Sequence, residues 1–145
     1  MKNSVAPINI LLVEDNPGDA RLAVEALTEG KITNNISIVQ DGIEAISFLR
    51  RETGYSDAPR PDLIFLDLNL PKMNGKDVLA AIKKDSQLKR IPVIILTTSD
   101  ADRDISATYE LQANCYITKP VGIDQFFNVI QSVENFWLTV VRLPK

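Results

Sequence analysis

Histidine is absent from this chain. Its absence removes His-ligated zinc, Ser-His-Asp triads and any proton shuttle built on imidazole. Cysteine occurs once, at Cys115, so no internal disulfide can form, and that usage fits a reducing compartment. Beside Tyr116 in an expected strand, Cys115 reads as a small core residue rather than a reactive thiol. No apolar stretch approaches the roughly 20 residues that cross a bilayer, and the opening MKNSVAPINI lacks the apolar centre of a signal peptide. A cytoplasmic protein with no membrane partner is expected. Neither G-x-G-x-x-G nor a P-loop lysine motif occurs, which counts against nucleotide binding. An excess of basic charge is missing too. The net charge is −3, and the nearest approaches to basic clusters are Lys83-Lys84 and Lys89-Arg90. They read as a solvated helix face, so no nucleic-acid partner is expected.

What is present is ordinary in amount and unusual in arrangement. With 145 residues, 45% of them hydrophobic, the chain can bury one proper core. A single domain over residues 1–145 is expected, its core at about 8–135, with an apolar helical extension at 136–145 and no output domain. The stretch Pro61–Gly75 (PDLIFLDLNLPKMNG) organises the rest. Leu63–Leu66 is a short, continuously apolar run, as in a strand buried on both faces of a parallel sheet. Asp67 interrupts it at its C-terminal end, and turn-compatible residues follow. An acid there is costly unless it has partners or ends at solvent.

Ile8–Val13 (INILLV) reads as a second buried strand, followed by a helix that starts at Pro17, is capped by Asn16 or Asp15, and closes at Gly30. A short strand at Ile36–Val39 and a helix after Asp41-Gly42 come next. Arg50–Pro61 (RRETGYSDAPRP) reads as a long exposed loop. Lys76–Asp85 is expected as a helix with Val78, Leu79, Ala81 and Ile82 inward, and Ile91–Leu96 as a strand. A helix over 101–111, a strand over 114–118 and a last helix over 123–141 complete the pattern. Five strands alternating with five helices predict a doubly wound α/β sheet, parallel, with helices on both faces.

In such a sheet, ligands bind beyond the carboxyl ends of the strands. The strand ends here hold Glu14-Asp15, Asp67, Thr97 and Lys119. Helix capping alone could explain Glu14-Asp15; the joint placement is the signal. Three carboxylates close together repel and call for a cation, and oxygen ligands without histidine or cysteine suit a hard ion such as Mg²⁺. With the ammonium of Lys119 and the hydroxyl of Thr97, the site would favour a phosphoryl group attacked by a carboxylate.

Glu14-Asp15, the strand FLDLNLP with Asp67, the motif MNG, Thr97 and Lys119-Pro120 together resemble a receiver domain of two-component response regulators. The resemblance implies a flavodoxin-like five-stranded sheet of order 2-1-3-4-5 and a phosphoacceptor at Asp67. It implies Mg²⁺ (or Mn²⁺ or Ca²⁺) held by Asp15, Asp67 and the carbonyl of Asn69, with Glu14 acting through water. Thr97 and Lys119 would bind the phosphoryl group, Thr97 and Tyr116 would form the switch pair, and Pro71, Gly75 and Pro120 would shape loops. The phosphohistidine donor must come from another protein, a sensor histidine kinase. The loop RRETGYSDAPRPD, DGIEAISFLR before it and the tail ENFWLTVVRLP resemble cyanobacterial phytochrome-partner response regulators, which implies a phytochrome as that kinase and a single-domain protein that is often dimeric. Phe136, Trp137, Val140, Val141 and Leu143 are expected at a dimer or partner interface, with core packing as the alternative. Such a protein assists its own phosphorylation and dephosphorylation without being a turnover enzyme. Two other classes stay open: a phosphate-independent pseudo-receiver, and a flavodoxin-like redox protein, against which the acidic EDNPGD after the first strand weighs.

Overall fold

The computed structural model describes residues 8–28, 34–52, 54–97 and 115–118, without the side chains of Ala26, Asn34, Thr97 and 115–118. Its centre follows from two apolar runs. β1 (Ile8–Val13) and β3 (Leu63–Asp67) lie side by side and parallel, with Ile10 opposite Leu63 and Val13 opposite Leu66. Ile10–Val13 and Leu63–Leu66 are apolar at every position because each strand is covered on both faces.

The pleat divides the two runs between two cores. Ile10, Leu12, Leu63 and Phe65 pack with Ala20, Ala23 and Leu27 of α1 (Pro17–Thr28). Leu11, Val13, Ile64 and Leu66 pack with Ala45, Phe48 and Leu49 of α2 (Gly42–Leu49) and with Val78, Leu79 and Ile82 of α3 (Gly75–Lys84). Ile64, Phe65 and Leu66 have no exposed surface, and such side chains contribute about 1.5–3 kcal/mol each relative to exposure. β2 (Asn34–Val39), β4 (Val93–Thr97) and β5 (Cys115–Thr118) complete a five-stranded parallel sheet of order β2-β1-β3-β4-β5. The strand order implied by the resemblance is the one observed. Among the described residues, no helix is long and apolar enough to cross a membrane.

The elements differ from the sequence reading mainly at their ends. β4 starts at Val93 instead of Ile91, because the Ile91 N–H donates to Leu88 O within a turn while Pro92 contributes only a carbonyl, accepting from Ile64 N–H. α3 starts at Gly75, capped by Asn74, whose side chain accepts from Asp77 N–H at 2.9 Å, and its Ala81 is only half-buried. Most of the described residues of the loop 50–61 are exposed as expected, with three exceptions. Tyr55 and Ala58 are half-buried against the core, the Tyr55 ring lying on Phe48 with centroids 5.4 Å apart, and Pro61 is buried. The Arg51 guanidinium also donates to Ala58 O at 2.9 Å, and Arg60 donates to Gln87 O. Gly30 and the helices expected over 101–111 and 123–141 lie outside the described residues.

Candidate functional site

Register brings the first two strand-end acids together. Val13 pairs with Leu66, so one step further along both strands sets Glu14 beside Asp67. Asp67 follows Leu63 and Phe65 by even steps and therefore carries the parity of the face that packs on α1. Just beyond Glu14 the chain turns into α1, which carries Asp15 past the same edge. Glu14, Asp15 and Asp67 each offer a carboxylate oxygen, and the three oxygens lie within 4.8 Å of one another.

Capping does not account for the acidic pair. Asn16 makes the cap, its side chain accepting from Asp19 N–H at 2.9 Å. Glu14 is buried, donates its N–H to Val39 O at 3.0 Å and accepts from Asn16 N–H at 3.2 Å, whereas Asp15 is exposed. Of the two ways to place an acid at a strand end, Asp67 takes the partnered one: it is 2% exposed and does not end at solvent. The loop after it folds back across the strand end, with Leu68 N–H donating to Leu96 O and Gly75 N–H to Leu68 O, both at 3.0 Å. One Asp67 oxygen, Oδ1, accepts from Asn69 N–H at 2.9 Å, offsetting part of the cost of burial.

That loop is tightly shaped. Pro71 is exposed, and its carbonyl accepts from Met73 N–H at 2.7 Å across Lys72, whose φ is 69°. A three-residue turn with a positive φ at a non-glycine centre is strained, at a cost of about 1–3 kcal/mol, and persists only where its surroundings hold it. Gly75 is required by proximity: a Cβ there would lie 2.4 Å from Asp67 O and 2.5 Å from Leu68 Cα. Gly42 is required in the same way, since a Cβ would lie 2.0 Å from Met73 O.

Asn69 is exposed next to the acids. β4 ends at Thr97, one residue past Leu96, the register partner of Asp67. The side chains of Thr97 and Tyr116, and all of Lys119, Pro120, Phe136, Trp137, Val140, Val141 and Leu143, lie outside the described residues. The sequence reading missed Glu44, Tyr55 and Lys72, which surround Asp41. Its available signal was Asp41 followed three residues later by Glu44, a pattern of reciprocal helix capping.

A family model described as the response regulator receiver domain matches residues 10–131. The response regulator Rcp1 of Synechocystis sp. is 49% identical over 138 residues, 95% of this chain and 94% of that protein. The crystal structure of phosphorylated RcpA, a cyanobacterial phytochrome response regulator, matches with a TM-score of 0.85 at 49% identity, over 97% of this chain and 100% of that one. The Mn²⁺-bound form of Rcp1 matches with a TM-score of 0.83 at 48% identity, over 96% and 100%. The matched span takes in β1 from Ile10 onward, β3 and the acids at their ends, and the chain belongs to the response regulator receiver domains.

Proposed function

We propose that this receiver takes a phosphoryl group on Asp67 from the phosphohistidine of a sensor histidine kinase. The observation that carries the reading is the gathering of Glu14, Asp15 and Asp67, with oxygens within 4.8 Å, at the edge where this fold class binds its ligands. Three oxygen donors with no nitrogen or sulfur fit Mg²⁺, held by Glu14, Asp15, Asp67 and the Asn69 carbonyl, with Mn²⁺ or Ca²⁺ able to replace it. When bound, the ion neutralises charge on the acids and on an incoming phosphoryl group.

In the transfer, an Asp67 carboxylate oxygen bonds to phosphorus in line with the departing imidazole nitrogen. The P–N bond breaks, and the donor imidazole keeps the electron pair and takes up a proton from solvent. The Asn69 N–H fixes the attacking carboxylate, and Asp15 and Asn69, the exposed members, mark the side from which a donor approaches. Thr97 and Lys119 bind the phosphoryl oxygens, and Thr97 and Tyr116 relay the change to the β5 edge of the sheet. Pro71, Gly75 and Pro120 shape the supporting loops.

Likeness to RcpA supports a phytochrome-type kinase as the donor. The similarity extends over 94% of Rcp1, which supports one receiver unit over 1–145; we place it in the cytoplasm, signalling through protein contacts. Self-association through Phe136, Trp137, Val140, Val141 and Leu143 would give a mass near twice 16.1 kDa, and a monomer at high concentration with and without beryllofluoride would rule it out. The central test is incubation with a ³²P-labelled histidine kinase and Mg²⁺. Label is expected on the wild type and none on Asp67→Asn; equal labelling of both would overturn the assignment.

A further inference from the structure

The loop 50–61 and the loop that follows Asp67 are joined by an unbroken run of polar contacts. The Tyr55 hydroxyl donates to Glu44 Oε2 at 2.9 Å. The other Glu44 oxygen, Oε1, accepts from Gln40 N–H at 2.8 Å at the end of β2. The Glu44 N–H donates to Asp41 Oδ1 at 2.7 Å, and Asp41 Oδ2 lies 3.5 Å from Lys72 Nζ. Both carboxylates thus serve different partners with their two oxygens, and each link fixes the next. Gly42 seals the far end, admitting Met73 so closely that no side chain fits between them.

Lys72 is where this run meets the site. Its φ of 69° is uncommon for a lysine, and Asp41 and Gly42 meet this turn from outside the loop, Asp41 at the Lys72 ammonium and Gly42 against Met73, while Leu70 and Met73 pack on the core. The turn lies three residues from Asn69, whose N–H holds Asp67.

We infer that Tyr55, Glu44, Asp41 and Lys72 are positioning residues through which the loop 50–61 sets the conformation of the segment 68–74, and with it the reactivity of Asp67. The inference rests on the reading of Asp67 as phosphoacceptor. It assigns the long loop a regulatory use: whatever grips or displaces Tyr55 slackens the turn at Lys72 and slows phosphoryl acceptance. A partner docked on this loop could therefore tune the site without touching the acids.

Three proteins separate positioning from bulk stability. Tyr55→Phe keeps the ring on Phe48 and removes only the hydroxyl. Lys72→Gly removes the ion pair and suits the positive φ, so stability should hold or rise while positioning is lost. A merely structural role would move stability and reactivity together. In metal-free protein, amide hydrogen exchange at Met73 and Gly75 should quicken about three- to tenfold in both variants relative to wild type. With Mg²⁺ and acetyl phosphate, the rate of phosphorylation should fall about threefold in Tyr55→Phe and three- to tenfold in Lys72→Gly. The double variant should fall no further than Lys72→Gly, because both act through one turn. Unchanged exchange at Met73 and Gly75 in Tyr55→Phe, or effects that multiply in the double variant, would overturn the inference. Failure of wild type to be labelled at Asp67 would instead overturn the phosphoacceptor reading, and the exchange result still decides whether the loops are coupled.

Discussion

Two buried aspartates stand at the loop ends of β2 and β3, the strands that flank β1, and have opposite company. Asp41 is 8% exposed and Asp67 2%. Asp41 gives one oxygen to a helix N-terminus and the other to Lys72. Asp67 gives Oδ1 to Asn69 N–H and otherwise stands within 4.8 Å of the oxygens of two more acids. Burial and position do not distinguish them. The groups beside them do: Asp41 has the Lys72 ammonium at 3.5 Å, whereas Asp67 shares its edge with two further carboxylates, a set of oxygens that suits a bound ion. An acid that completes a structure and an acid that awaits a ligand are told apart by their neighbours.

On one point the two regions should behave alike. Each acid is walled by a glycine, Gly42 next to Asp41 and Gly75 against the Asp67 carbonyl, and a Cβ at either would fall 2.0–2.4 Å from backbone oxygen. Gly42→Ala and Gly75→Ala should each cost about 3 kcal/mol, at the upper end of overpacking effects. Gly18→Ala, whose Cβ would meet only the Asn16 side chain at 3.3 Å, should cost under about 1 kcal/mol. Urea unfolding of the three variants reads this directly, and a tolerated alanine at Gly75 would remove the close approach from the account of the site.

The contrast itself is broken or sharpened by magnesium. At one hundred times its dissociation constant, Mg²⁺ should add about 2.7 kcal/mol to the stability of the wild type. Asp15→Asn should lose most of that gain, since the same concentration no longer saturates a site with one charge fewer. Without metal the signs reverse. Asp67→Asn relieves repulsion between charges only a few ångströms apart and should stabilise the fold by about 1–2 kcal/mol. Asp41→Ala loses a cap and an ion pair and should destabilise it by about 1–2 kcal/mol. If both aspartate variants lower metal-free stability equally, the acids of the cluster are already compensated within the chain and the contrast fails.

Much of this was legible in the sequence, for a physical reason. Continuous apolar runs at Ile10–Val13 and Leu63–Leu66 can be satisfied only by cover on both faces, so the layered sheet follows from them. Acids at the ends of such runs must then meet at one edge, and register delivers Glu14 to Asp67. Asp67 burial was not legible, because it depends on how the next seven residues fold back over the strand end. The contacts from Tyr55 to Glu44 and from Asp41 to Lys72 join positions 11 and 31 apart in a pattern with no period. Nor does a lysine advertise a positive φ as a glycine would; tertiary contacts, Asp41 at the Lys72 ammonium, Gly42 against Met73 and the core packing of Leu70 and Met73, hold the turn there.

The smallest expected effect concerns the link between Tyr55 and the structural acid. Partial burial, then the hydrogen bond and charge of Glu44, then the charge of Asp41, push the Tyr55 phenol above its ordinary value of 10.0. A phenol harder to ionise in the fold than in the unfolded chain binds its proton more tightly in the fold. Its contribution is fully present below pH 10 and is lost as pH rises through the folded-state value. Lys83 works in the other direction: burial lowers its ammonium below 10.5, so stability gains as pH rises between the folded and unfolded values. Lys83 is common to the wild type and to Tyr55→Phe, so comparing the two isolates the phenol. At pH 7 the wild type should be more stable by about 1 kcal/mol, the net worth of a hydrogen bond to a carboxylate that stays partly solvated. Above pH 10 the two unfolding curves should converge, because an ionised Tyr55 beside Glu44 keeps none of that advantage. Parallel curves from pH 7 to 11 would mean that the hydroxyl does not depend on Glu44, and that the structural acids end at α2 without reaching the loop.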